Sequence, residues 1–408
     1  MSQTGYTAPP EIRRVQQIAL VVGAAFTLLL LIGAFINRPQ FFRSYLIGFV
    51  FWTGLALGSL ALLMLQHLTG GGWGLVIRRV LEAATRTIPL LLILFVPLAL
   101  GLSHIYPWMD HEKMAHTPAL ATKAAEFLNR NFFLARTLVY FVIWLALTFF
   151  LNKWSREQDR TAERRFSRSM KMLSGPGLAF FVLTTTFASI DWVMSLDPEW
   201  ASTMFGLLFV ASWALSAMAF VIASLSLLAN HAPLNGVVAP SHFHDLGKLL
   251  LALVMLWAYF AFSQFLIIWS GNLPEETTWY LHRTRGGWGG VALAVIVLHF
   301  ALPFLLLLSR DFKRNAHKLA LLAAFLLLMR LVDLFWLIEP EFHHGDFYLS
   351  WMDVAAPLGI GGLWLATFCW QLQQRPLVPF NDPQLESVLE TVRESHIEAH
   401  ESYQTSGH

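Results

Sequence analysis

The chain has 408 residues, 56% hydrophobic and 13% charged, with 16 Trp, 33 Phe and a formal net charge of +2. That balance excludes an ordinary soluble domain or a nucleic-acid binder and indicates a polytopic membrane protein. The single cysteine, Cys369, lies in an apolar run, which excludes an intrachain disulfide, a thiolate iron–sulfur site and a Cys-x-x-Cys-His haem attachment.

Runs of about 20 apolar residues predict ten spans, at 16–36, 45–67, 87–106, 132–151, 177–196, 202–229, 246–270, 288–308, 317–338 and 350–372. Residues 1–15 form a polar N-terminus without a small-residue cleavage site, so no removable signal peptide is expected. Pro89 and Pro97 predict kinks in span three. The loop over 103–131 carries His104, His111 and His116 and is expected to dock a periplasmic partner. Asp197 followed by Pro198 predicts an N-cap for span six.

Residues 242–285 form the most polar span and its flanks. His242, His244 and Asp245 read as helix caps rather than a metal site, and Tyr259, Ser263 and Gln264 as stepping stones inside the bundle. Glu275, Glu276, Arg283 and Arg285 read as a solvated outer rim, and His343–Asp346 as outer surface. The membrane domain then covers 16–375. A polar cytoplasmic tail, 376–408, follows, in which Asp382–Pro383 caps an amphipathic contact helix bearing Leu385, Val388, Leu389 and Val392.

One segment occurs twice. IDWVMSLDPEW, 190–200, is matched 142 residues later by VDLFWLIEPEF, 332–342, pairing Asp191 with Asp333 and Asp197 with Glu339. The copies close spans five and nine, which run the same way, so the reading is a parallel duplication with repeat units of about 41–200 and 201–342. Of the 28 Lys and Arg residues, 18 fall on the side of the termini and 8 on the other. The positive-inside rule therefore places both termini in the cytoplasm.

Ionisable groups inside spans are costly and need a reason. Asp191 lies about 9 Å inside its helix end at 1.5 Å per residue, with no basic neighbour on its own helix. Asp333 occupies the same depth with Arg330 three residues earlier, so this pair reads first as a structural salt bridge, and Asp191, without such a neighbour, is the expected working proton site. His299, near the middle of span eight, suits a proton relay, a quinol contact or a hydrogen-bonded structural histidine. Asp353 in span ten is a weaker carboxylate candidate. No Walker loop, dinucleotide fingerprint, Gly-x-Ser-x-Gly or zinc-protease motif occurs, so no catalytic residue and no metal ligand is assigned.

The segments SIDWVMSLDPEWASTMFG (189–206), HDLGKLLLALVMLWAYFAFSQFLIIWSGNLPEETTWY (244–280) and VDLFWLIEP (332–340) resemble the F-type subunits of bacterial alternative complex III, a quinol:cytochrome c oxidoreductase. These belong to the NrfD-like, polysulfide-reductase membrane-subunit family, and the resemblance runs over about residues 10–375. It implies an all-α protein of ten transmembrane helices, arranged as two four-helix bundles with two flanking helices, in the bacterial inner membrane. It also implies partners: a paralogous NrfD-like C subunit, a periplasmic iron–sulfur subunit and haem c subunits, which would carry the redox cofactors. Quinone or quinol would bind at or near this subunit, the quinol site being usually assigned to the C-type paralogue.

The expected role is then a non-redox subunit offering a proton path. Protons would enter near His244 and Asp245, pass Gln264, His299 and Arg330, and reach Asp191 and Asp333, with Glu275 and Asp353 nearby. The alternatives are a purely structural anchor and a secondary transporter; a parallel repeat speaks against the latter.

Overall fold

Ten helices are long and apolar enough to cross a membrane. They were placed in a computed structural model that describes residues 9–343, 345–386, 389, 390 and 392. The chain is 84% helical and, among the described residues, contains no strand; it is an all-α integral membrane protein. The helices are α1 (Glu11–Ile36), α2 (Arg38–Thr69), α3 (Gly72–Leu100), α4 (Arg130–Thr161), α5 (Arg164–Leu196), α6 (Phe205–Leu228), α7 (Pro240–Gly271), α8 (Trp288–Leu308), α9 (Ala316–Glu341) and α10 (Trp351–Gln373). The start of α1 and the finish of α10 define a terminal end of the bundle. The longer connections, 101–129 and 272–287, define a loop end.

Several helices outrun the apolar belts that reveal them. α2 begins seven residues before the hydropathy boundary because the Asn37 side chain accepts a hydrogen bond from Gln40 N at 3.2 Å and caps it. α4 is capped in the same way, with Asn129 accepting from Phe132 N at 2.9 Å, and it winds on to Thr161 through Arg, Gln and Glu, all good helix formers. α3 starts at Gly72 and is built from three pieces, Gly72–Thr85, Ile88–Leu94 and Val96–Leu100. Pro89 and Pro97 sit at the first turns of the second and third pieces, where a missing N–H costs nothing. Asp197, however, does not cap α6. Its Oδ1 accepts from Glu199 N and Trp200 N at 3.0 and 3.2 Å, closing a local turn, and α6 starts only at Phe205.

Burial sorts the helices into layers. The apolar windows of α2 and α6 are 94% and 83% buried, whereas those of α1, α7 and α8 are each 22% buried, so α2 and α6 form the centre. They meet at Gly58, where an added Cβ would stand 2.0 Å from the Trp213 carbonyl oxygen; only glycine allows that approach. Around this axis α2 packs on α3 and α5, and α6 on α7 and α9. The first helix of each four-helix group thus touches its own fourth. α10 packs on α2 and carries α1 on its outer side, through the Gly23–Gly362 crossing.

Candidate functional site

Buried ionisable groups collect in three clusters toward the loop end and one at the terminal end. The first is built on α4 and α5. Asp191, fully buried, accepts from Arg136 Nε at 2.9 Å, Arg136 Nη2 at 2.6 Å and the Tyr140 hydroxyl at 2.7 Å. Arg136 is itself packed over the Phe127 and Phe132 rings at 3.8 and 4.3 Å. Asp191 has no basic neighbour on its own helix, as the sequence indicates, but the adjacent helix supplies one. Its partner lies 55 residues upstream on the adjacent antiparallel helix, out of reach of any same-helix spacing rule.

The second cluster joins α7, α8 and α9. Arg330 Nη1 donates to Asp333 Oδ2 within α9, both groups are buried, and the Arg330 guanidinium lies 5.4 Å from the centre of the Phe209 ring. His299 is fully buried edge-on to Trp257, with ring centroids 4.6 Å apart, and among the described residues neither ring nitrogen has a hydrogen-bond partner; nor has Arg330 Nη2. Unpaired buried polar atoms cost about 1–3 kcal/mol each, which makes this group a candidate site. α8 is locally π-helical over Val295–Ala301, with Leu302 N–H bonded to Val297 O. The cause is Pro303, whose ring excludes the His299 carbonyl from its usual acceptor position and widens the turn. The imidazole is wholly enclosed in this packing.

The third cluster lies at the loop ends of α2, α9 and α10. Gln40 Nε2 donates to Glu339 Oε1 at 3.2 Å and to Asp353 Oδ1 at 3.1 Å, bridging two buried carboxylates. Ser44 Oγ donates to Asp353 Oδ1 at 2.5 Å and Ser350 N to Asp353 Oδ2 at 2.8 Å. Among the described residues Glu339 Oε2 has no hydrogen-bond partner, and His343 Nε2 stands 3.5 Å from Glu339 Oε1 on the rim. Asp353, the weaker candidate by sequence, is thus central here. Glu339, Gln40 and Ser44 escaped selection. A usable signal existed: Gln40 and Ser44 are polar at i and i+4 on an apolar helix, and Glu339 is the repeat partner of Asp197.

The other expected positions are scattered. His244 Nδ1 is 3.9 Å from Asp245, which pairs with Lys248 at 3.1 Å on the surface of the terminal end. His242 instead accepts from Ala239 N at 3.0 Å and caps α7. Gln264 is buried but belongs to the loop end, contacting Ser202 at 3.0 Å and Tyr280 at 3.4 Å, not the middle of the membrane. Tyr259 is 62% exposed on the outer face of α7 and cannot serve as an internal stepping stone. Glu275 is exposed in the first turn of Pro274–Thr284, away from the clusters. Arg283, placed on a solvated rim by sequence, is buried against the Trp279 ring at 3.7 Å and pairs with Glu341 at 3.2 Å. Burial pulls its guanidinium down to about 10 despite Glu341. Burial, aided by Glu341, raises the nearby Asp197 carboxyl. His344 and Val388 lie outside the described residues.

At the terminal end Glu82 is ringed by Arg78, Arg79 and Arg375 at 3.1, 2.6 and 3.1 Å and accepts from Ser155 at 2.6 Å. Arg79 also pairs with Asp159 at 2.5 Å, and Arg78 with Asp382 of the tail. These arginines, counted as loop cations in the charge tally, are buried and neutralised. Among the described residues, no group of three or more His, Cys, Asp or Glu side chains could hold a metal ion. No family model and no curated protein matches the chain.

Proposed function

We propose that this chain is a non-redox membrane subunit of a quinol-oxidising electron-transfer complex and carries protons toward its loop end through α8 and α9 and their junction with α2 and α10. The observation that supports this most is the series His299, Arg330–Asp333, Glu339–Gln40–Asp353 and His343. It starts at an enclosed imidazole and ends at a histidine 27% exposed on the rim. Asp333 and Glu339 are six residues apart on one helix, about 9 Å along its axis. A proton crosses such a gap by way of water and side-chain rotation, and Glu339 Oε2 and the His299 nitrogens are groups with unused bonding capacity to receive it.

The route differs from the expected one at both ends. Asp191 has its oxygens taken up by three donors, so in the first group the polar cluster reads as a helix clamp, which is the structural-anchor role. On the entry side, α7 between Lys248 and Gln264 offers only Trp257, the outward Tyr259 and Ser263 as polar side chains. Among the described residues no hydrogen-bonded chain joins His244 and Asp245 to His299. Entry along the π-wound turn of α8 fits better, because that turn carries His299 itself.

The resemblance of the 189–206, 244–280 and 332–340 segments supplies the assembly. It implies a paralogous NrfD-like subunit, a periplasmic iron–sulfur subunit and haem c subunits as partners, in a bacterial inner membrane with both termini cytoplasmic. Affinity purification of the tagged chain in mild detergent should bring down haem-bearing subunits, read as c-type absorbance. Isolation of the chain alone, free of haem, would sink the proposal.

A further inference from the structure

The terminal ends of α8 and α9 carry a feature that the proton path does not use. Between the last turns of α8 and the first turns of α9 runs a groove of about 270 Å³, lined by Leu302, Leu306, Phe312, Leu321, Leu322 and Phe325, with Lys318 as its one polar member. The placement along α9 is ordered. Lys318 stands in the first turn, and Leu321, Leu322 and Phe325 lie three, four and seven residues deeper, about 4–10 Å further into the bilayer. Phe312, from the short helix Arg310–Arg314 that joins α8 to α9, closes the groove at the terminal end.

The segment that joins α8 to α9 beside the groove is mainly basic. Arg310, Arg314 and Lys318 are exposed, and no acidic side chain among the described residues forms an ion pair with any of them. Asp311 is the only acidic residue between 309 and 318. The contrast with the far side of the same end is sharp, since there Arg78, Arg79 and Arg375 are consumed by Glu82, Asp159 and Asp382.

We infer that this groove is a binding site for an anionic phospholipid. One acyl chain lies along Leu302, Leu306, Leu321 and Phe325, and the phosphate meets Lys318, with Arg310 and Arg314 of the joining helix adding to the positive field. Bulk lipid would cover any apolar groove, but Lys318 at its mouth, in a segment whose other exposed cations form no ion pair among the described residues, selects a negative headgroup, and the ordering of cation above and carbon below matches a lipid's own polarity. The site rests on neither the proton path nor the proposed complex.

Native mass spectrometry of the full-length protein in detergent tests it, with phosphatidylglycerol and phosphatidylcholine of the same chains as probes. The wild type should retain phosphatidylglycerol about tenfold more than phosphatidylcholine, by roughly 1.4 kcal/mol. Lys318→Gln with Arg314→Gln should reduce that preference to parity. Leu321→Trp, a change at a residue 59% exposed on the groove wall that leaves the core untouched, should displace the chain and lower retention of both lipids. Equal retention of the two lipids by the wild type would overturn the inference. So would a charge effect in the Lys318 variant with no effect of Leu321→Trp, since that is a bare anion contact rather than a lipid site.

Discussion

At the scale of single residues the decisive fact is how fully each buried charge is compensated. Asp191 and Arg136 satisfy each other with two hydrogen bonds and a third comes from Tyr140. Removing one partner leaves a buried charge, which costs about 3–5 kcal/mol. Arg136→Leu should therefore lower thermal stability in detergent by that amount, and adding Asp191→Asn should recover most of it; additive losses in the double variant would contradict the pairing. Asp197 has a different liability. Its folded-state carboxyl is raised by burial and by Glu341, so the folded state holds the proton more tightly than the unfolded one. Stability contributed by this group is lost as pH rises from the ordinary carboxylate range through the raised value. Asp197→Asn keeps the turn's acceptor and should raise the melting temperature at neutral pH, with the gain vanishing below the ordinary carboxylate range.

At the scale of elements, α8 and the tail carry the testable features. Pro303 makes the π-wound turn that holds His299, so Pro303→Ala should return 295–301 to α-helical winding. Amide exchange across 295–302 should slow, and unchanged exchange would mean that the widening has another source. In the tail, Asp382 pairs with Arg78, Asn381 donates to the Asp159 carbonyl at 2.8 Å and Gln384 accepts from Gly71 N at 3.2 Å. Ending the chain after Val378 should destabilise it by about 1–3 kcal/mol, measured by thermal unfolding in detergent; an unaltered melting temperature would make the tail an ornament of the surface.

These elements also show what a linear reading can reach. Apolar runs and Pro89 and Pro97 disclose ten spans and the broken third helix, because both signals are local. The Arg330–Asp333 pair is legible for the same reason, being three residues apart on one helix. Arg136 with Asp191, and Gln40 with Glu339 and Asp353, join helices 55, 299 and 313 residues apart, and no periodicity carries such information. Helix ends fail locally too: Arg38 and Arg164 open helices that hydropathy begins at 45 and 177, since a polar turn winds as readily as an apolar one.

At the scale of the whole molecule the two four-helix groups share a plan and differ in finish. Each brings a buried aspartate to its fourth helix and pairs it with an arginine. In the first group that pairing is saturated, whereas in the second it stands beside an unpartnered imidazole and leads to a bridged carboxylate pair at the rim. On the proposed reading the first clamps its helices and the second passes protons. The most direct test is the proton-to-electron ratio of the purified complex in proteoliposomes during quinol oxidation, for His299→Gln, Asp353→Asn and Asp191→Asn. The ratio should fall in the first two with quinol turnover retained, and hold in the third once the complex is assembled. An unchanged ratio in both His299→Gln and Asp353→Asn would contradict the account.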